Sequence, residues 1–128
     1  MSIFNNLFGN TEQGNVSKIE WRKVTDLGQL NEMTELSFEN PVLIFKHSTR
    51  CSISRFALKQ FENDYDFSND ELQPYFLDLL EYRSVSNEIA ARFGVFHQSP
   101  QILIIKEGKC VYDESHDSIS IDSVKRVL

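Results

Sequence analysis

The stretch from Pro41 to Ser54 constrains the fold most, because a cysteine there joins an apolar run to an amphipathic one. The run Pro-Val-Leu-Ile-Phe at residues 41–45 predicts a buried strand. Beyond Cys51, apolar residues recur at helical spacing, which predicts a helix from Cys51 to about Asn63. Unpaired backbone N–H groups at the start of a helix carry the positive end of its dipole. Cys51 therefore has a setting that favours the thiolate, which is the nucleophilic form of cysteine.

Two interpretations of the cysteines have to be compared. A cysteine can also be buried as a small apolar side chain, but the neighbours of Cys51, including Arg50 and Ser52, are polar, which favours a reactive thiol. Cys110 falls in a predicted strand with nothing near it that would activate a thiolate, so we predict a structural role for it. A disulfide-stapled secreted domain would usually have more than two cysteines.

Composition excludes several classes of protein. With 128 residues the chain is long enough for one domain with a real core. A net charge of −6 and the absence of a Lys/Arg cluster argue against nucleic-acid binding. There is no apolar run long enough to cross a membrane and no secretory signal in the first ten residues, so we expect a cytoplasmic protein without a membrane partner. We divide it into an N-terminal arm, residues 1–17, and one domain, residues 18–128.

Strand and helix patterns alternate along the chain. Before the central stretch, residues 19–24 predict a strand, and Asp26 with Gln29 matches a capping box for a helix that ends near Glu39 and Asn40. After it we expect a loop at 64–70, a strand at 74–80, and a helix capped by Ser84 or Ser86, with Glu88 in its first turn and a stop at Gly94. Then come a strand at 101–106, a hairpin turn at 107–109, a strand at 110–113, and a helix capped by Ser118 or Ser120 with apolar Ile121, Val124 and Leu128. This order predicts an α/β fold with a mixed central β-sheet flanked by helices.

This order, with a cysteine after the second strand, resembles the thioredoxin-like fold. Ser99 and Pro100 lie just before the strand at 101–106, where thioredoxin-like proteins have a cis-proline beside the active thiol. Within that fold the chain resembles the bacillithiol-system YtxJ family, the monothiol bacilliredoxins. The matching motifs are Lys-His-Ser at 46–48, Thr-Arg-Cys-Ser-Ile-Ser at 49–54, Ser-Pro at 99–100, and Ser-His at 115–116 followed by Ser-Ile-Ser at 118–120.

Two positions depart from that family's pattern. The family usually has proline directly after the cysteine, where this chain has Ser52. It often has an aromatic residue after the Ser-His pair, where this chain has Asp117. The first departure leaves the start of the helix less rigid but keeps the single-thiol arrangement.

The resemblance implies a thiol-disulfide oxidoreductase. Dithiol enzymes use Cys-x-x-Cys, in which the second thiol resolves the mixed disulfide; here that position is Ser54. One thiol suffices to take a small thiol from a protein mixed disulfide, after which a second small thiol regenerates the enzyme. The resemblance implies that the small thiol is bacillithiol, used as a co-substrate with no cofactor bound, and that the partners are bacillithiolated proteins.

The candidate site combines the nucleophile Cys51 with seven residues that we assign to substrate binding, each of which also has a plain structural interpretation. Ser54 either donates a hydrogen bond to the thiolate or is an ordinary first-turn serine, and Arg50 either holds a ligand carboxylate or is a solvated charge. His47 either tunes Cys51, contacts substrate, or pairs with backbone at the end of a strand. The other four are Ser99 and Pro100, whose backbone would pair with an extended substrate, and Ser115 and His116, in a turn that adjoins the active cysteine in thioredoxin-like folds. Ser115 is otherwise a turn or capping residue, and His116 is otherwise simply exposed to solvent.

Two other classes of function remain as alternatives. One is a thioredoxin-fold module that binds thiol-modified proteins without turnover. The other is an iron–sulfur carrier, because Cys-x-x-Ser resembles the motif of monothiol glutaredoxins, although their Gly-Gly turn before the last helix is missing here. The cysteines and histidines have no paired ligand spacing, so we predict no metal site.

Overall fold

The computed structural model describes residues 19–128, so the predicted arm lies outside the described residues. Within them the elements follow the predicted order. In sequence they are β1 (Arg22–Lys23), α1 (Gly28–Leu36), β2 (Val42–His47), α2 (Ser52–Asp64), β3 (Gln73–Asp78), α3 (Arg83–Phe93), β4 (Gln101–Lys106), β5 (Lys109–Ser115), a 3-10 turn (His116–Ser118) and α4 (Ile121–Val127). The α/β class is confirmed. No helix in this part of the chain is long and apolar enough to span a bilayer.

The described strands form one mixed sheet in the order β1-β3-β2-β4-β5. Strands β1, β3 and β2 run parallel, and β4 lies antiparallel to both β2 and β5. Lys46, near the end of β2, is opposite Gln101, the first residue of β4. This register brings the loop after β2, which carries Cys51, next to Ser99 and Pro100.

Alternate residues of the central strands supply two hydrophobic cores, one on each face of the sheet. On one face, Leu43 and Phe45 of β2 cluster with Phe61 of α2 and Val124 of α4. On the other face, Val42 and Ile44 cluster with Met33 of α1 and Ile89 of α3. Both faces of the sheet are therefore covered by helices, as strands with continuous apolar runs require.

Trp21 connects β1 to the first of these cores. Its ring meets Phe45 and Phe76 edge-on, with centroids 5.9 and 5.6 Å away, and its Nε1 donates to Glu62 of α2 at 2.7 Å. Phe76 in turn lies 5.5 Å from the ring of His47. A continuous row of rings therefore runs from the edge strand to the end of β2.

Several predicted caps and stops are confirmed. Asp26 Oδ1 accepts from the Gln29 backbone N–H at 3.0 Å, and Gln29 Oε1 accepts from that of Asp26 at 3.1 Å, which is the reciprocal pattern of a capping box. Gly94 ends α3 in the left-handed region with φ 68°, where glycine carries no steric penalty. Of the two candidates for α4, Ser120 is the cap, because its Oγ accepts from the Ser123 N–H at 3.1 Å.

The cap predicted for α3 is wrong. Tyr82 occupies the N-cap position without a side-chain bond, whereas Ser84 and Ser86 lie inside the helix and Glu88 lies beyond its first turn. The reason is Asp78, whose carboxylate accepts from the N–H groups of Leu80 and Glu81 at 3.1 and 3.3 Å. This upstream turn brings the chain into the helix earlier than a serine cap would.

Some predicted boundaries also differ from the structure. β1 is shorter than expected because it pairs with β3 over two residues only. α1 ends at Leu36, since Ser37 turns the chain and its carbonyl and hydroxyl accept from the N–H groups of Glu107 and Gly108, both at 2.9 Å. The hairpin turn is limited to Glu107 and Gly108, with φ of 51° and 79°. Leu128 is 39% exposed and does not join the core.

Candidate active site

Cys51 lies where the sequence predicts, at the N-cap of α2. Its φ and ψ of −104° and 121° are extended, and its backbone carbonyl accepts from the Arg55 N–H at 3.0 Å as the first bond of the helix. Its own N–H donates to the Ser48 carbonyl at 3.2 Å, which closes the turn between β2 and α2. The residue is half-buried and its thiol is free. The residue therefore sits beside the first helical turn, whose unpaired N–H groups form the positive end of the helix dipole.

Ser54 is fully buried one turn after Cys51, and its hydroxyl joins the helix to the strand. The Oγ accepts from the Ser48 N–H at 3.0 Å and lies 2.7 Å from His47 Nδ1. Both hydrogen bonds thus join Ser54 to His47 and Ser48, and neither is the bond to the Cys51 thiolate that was one of the two alternatives. Ser54 therefore holds the Cys51 loop in place from behind.

His47 ends β2 two residues later than the predicted end of that strand and is only 5% exposed. Burial lowers the pKa of His47, the Asp78 carboxylate raises it, and the Arg55 guanidinium lowers it. The side chain is therefore mostly in its neutral form at pH 7. The hydrogen-bond partner of His47 is a side chain and not a backbone group, which was one of the alternatives.

The structure brings the other predicted substrate-binding residues to the same end of the sheet. The Ser99–Pro100 peptide bond is cis, and the Pro100 carbonyl accepts from the His116 N–H at 3.0 Å. Ser115, the last residue of β5, is paired with Gln101. His116 is exposed and has a φ of 58°. Arg50 is exposed in the turn before Cys51.

A groove of about 600 Å³ lies beside Cys51 and is lined by Ser52, Ile53, Phe56, His116 and Asp117. Ile53 and Phe56 are 56% and 73% exposed. Both belong to the apolar pattern at helical spacing that predicts α2, yet they lie on its exposed side. Ser54, Ala57 and Phe61 are the buried residues of the helix, so the apolar side chains that flank Cys51 face solvent.

Lys46 is the main feature of this region that the sequence missed. It is 0% exposed inside the sheet, its Nζ has no hydrogen-bond partner within residues 19–128, and burial lowers its pKa to about 8. Lysine is usually an exposed residue, and the apolar run before it ended at Phe45, so nothing in the pattern indicated a buried amine.

Cys110 lies at the far end of the sheet. It is aligned with Ile105, whereas the end of the hairpin that adjoins Cys51 is formed by Gln101 and Ser115. Its Sγ donates to the Tyr112 carbonyl at 3.3 Å, and burial raises the pKa of its thiol. Burial, the largest of the effects on this thiol, disfavours a thiolate at Cys110.

Comparisons with known proteins agree with this arrangement. A family model described as monothiol bacilliredoxin BrxC matches residues 22–124. A solved structure described as a proposed oxidoreductase with a thioredoxin fold is 30% identical, with a TM-score of 0.70 over 81% of this chain and 89% of that one. Malassezia sympodialis thioredoxin (Mala s 13) is 16% identical, with a TM-score of 0.67 over 88% of this chain and 90% of that one.

Mitochondrial thioredoxin 3 from Saccharomyces cerevisiae is 14% identical, with a TM-score of 0.61 over 84% of this chain and 92% of that one. At such identities the two thioredoxins show the fold alone. The family match covers most of the domain and includes Cys51. The chain therefore belongs to the monothiol bacilliredoxin family of thiol-disulfide oxidoreductases, built on a thioredoxin fold.

Proposed function

We propose that this protein removes bacillithiol from protein mixed disulfides through Cys51, with bacillithiol as co-substrate and bacillithiolated proteins as partners. The observation that carries the proposal is a half-buried thiol at the amino end of a helix with a serine where a resolving thiol would be. In the first step the Cys51 thiolate attacks the bacillithiol sulfur of the mixed disulfide. The new bond is Cys51–bacillithiol, the bond that breaks is the protein disulfide, and the protein cysteine leaves as a thiolate.

The second step requires an external thiol. Ser54 cannot exchange, and Cys110 lies at the opposite end of the hairpin with its thiol held in the protonated form. A bacillithiol thiolate therefore attacks the bacillithiol sulfur of the adduct, releases the Cys51 thiolate and leaves as bacillithiol disulfide. Electrons balance because each step exchanges one disulfide for another.

The surrounding residues have supporting roles in this scheme. His47 and Ser54 hold the Cys51 loop through their 2.7 Å contact. The backbone at Ser99 and Pro100 would pair with an extended segment of the client, as in strand addition. Ser115 and His116 border the same opening, and Arg50 is free to meet a carboxylate of the ligand. A reducing compartment such as the cytoplasm suits a free thiol of this kind.

The test is intact-mass analysis after the protein is mixed with a bacillithiolated client. We expect a gain of one bacillithiol on this protein, the same gain in Cys110→Ala, and none in Cys51→Ser. Adding free bacillithiol should remove the adduct over many cycles. A loss of two hydrogens in place of the adduct would indicate a Cys51–Cys110 cycle, and a single stable adduct without turnover would indicate a binding module.

A further inference from the structure

The buried amine of Lys46 has no part in the exchange steps described above. Its strand, β2, is flanked on both sides by others, and its ammonium group lacks a hydrogen-bond partner in the described part of the chain. A buried charge without a partner destabilises the folded state. At pH 7 the group is nevertheless still charged in most molecules, since its pKa is about 8. Stability alone therefore does not account for Lys46.

The neighbours of Lys46 place its charge beneath the loop at residues 95–100. Gln101, its partner across β2 and β4, donates from Nε2 to the Phe96 carbonyl at 2.9 Å, while its Oε1 is buried without a partner in the described residues. Ser99 Oγ is also buried and has no hydrogen-bond partner among the described residues. After burial, the charges that lower the pKa of His97 are those of Lys46 and Arg83.

Two positive charges act on the loop at residues 95–100. The chain carries −6, yet Lys46 and Arg83 both act on the exposed His97. Of the nearby acidic residues, Asp78 acts on His47 on the other face of the sheet, and Asp117 lines the groove beside α2. Because salt screens a buried charge poorly, the field of Lys46 persists at physiological ionic strength.

We propose that Lys46 is a specificity-determining residue that makes the side of the Cys51 site formed by residues 95–100 selective for thiols carrying a carboxylate. This inference rests on the proposed function and names a residue that selects the co-substrate by its charge. Lys46 acts through its field and not by contact, because its ammonium group is covered by protein. A fixed cation of this kind raises the local concentration of anions near the site.

The experiment compares two thiols that differ in charge. A mixed disulfide of Cys51 with 2-mercaptoethanol is prepared, and its reduction is timed with 3-mercaptopropionate and with 2-mercaptoethanol. The ratio of the two rate constants measures carboxylate selectivity and cancels general effects on Cys51. In Lys46→Met we expect this ratio to fall about tenfold, the size that one charge produces at roughly 10 Å in an effective dielectric of about 20.

Two further variants complete the test. Lys109→Met, an exposed lysine in β5 at the far end of the hairpin, should leave the ratio unchanged. Arg83→Met should lower the ratio by a smaller factor, because the charge of Arg83 is exposed. If Lys46→Met does not fold, Arg83→Met tests the inference in its place. A ratio within twofold of wild type in both Lys46→Met and Arg83→Met, or an equal slowing with both thiols, overturns the inference. Failure of bacillithiol itself to regenerate wild-type Cys51 would instead refute the proposed function.

Discussion

Replacing Ser54 by alanine removes the hydroxyl group that joins β2 to the first turn of α2. The Ser48 N–H and His47 Nδ1, now 3.0 and 2.7 Å from the Oγ, both lose their partner. A buried polar group left unpaired costs about 1–3 kcal/mol. His47 is almost fully buried, so its unpaired nitrogen should cost an amount near the middle of this range. Ser48 is half-buried and its N–H can donate to water instead, so its cost should be near the low end. The free energy of unfolding should fall by about 2–3 kcal/mol.

Urea unfolding followed by circular dichroism measures this change. Ser84→Ala is the matched control, because Ser84 is exposed in the first turn of α3, and a substitution there should stay within about 0.5 kcal/mol of wild type. In thermal unfolding the Ser54→Ala variant should melt about 10 °C lower. If Ser54→Ala and Ser84→Ala lose the same small amount of stability, the hydroxyl does not support the Cys51 loop.

Three other predictions follow from the thiols and the buried amine. Limiting iodoacetamide near neutral pH should alkylate Cys51 before Cys110, because burial raises the pKa of the Cys110 thiol. Peptide mass spectrometry shows which cysteine is labelled first, and labelling of Cys110 first would contradict the prediction. Between its folded pKa of about 8 and its ordinary value of 10.5, Lys46 binds fewer protons in the folded protein than in the unfolded chain. The free energy of unfolding should therefore rise by about 1 kcal/mol from pH 8 to pH 9 relative to Lys46→Met. If urea unfolding gives the same change between these pH values for both proteins, the prediction is wrong. Ser54→Cys should form an internal disulfide with Cys51 on oxidation, seen as a loss of two hydrogens; an unchanged mass would mean that the two sulfurs do not meet.

The sequence predicted well those features that depend on local pattern. The position of Cys51 between a strand and a helix follows from a change in hydrophobic period at one point of the chain. The bounds of β4 and the stop at Gly94 follow likewise from a continuous apolar run and from a residue that tolerates positive φ. In each case the residues that decide the structure are close neighbours in sequence.

Features decided by distant contacts could not be predicted in this way. The buried face of α2 consists of Ser54, Ala57 and Phe61, and it is fixed by contacts with His47 and with the core on that side of the sheet. Helical spacing alone does not distinguish that face from the one carrying Ile53 and Phe56. The entry to α3 likewise depends on the carboxylate of Asp78 from the preceding strand, and Lys46 is buried by its place between two neighbouring strands.

The row of rings that begins at Trp21 makes the intrinsic fluorescence of this tryptophan sensitive to changes at the site. Trp21 is the single tryptophan of the chain, and through Phe76 its indole is one ring away from His47. Any shift of His47 when the Cys51 loop accommodates an adduct should change the packing around the indole, and with it the emission of the protein. Stopped-flow fluorescence would then follow each exchange step in unlabelled protein, with Trp21→Phe as the silent control.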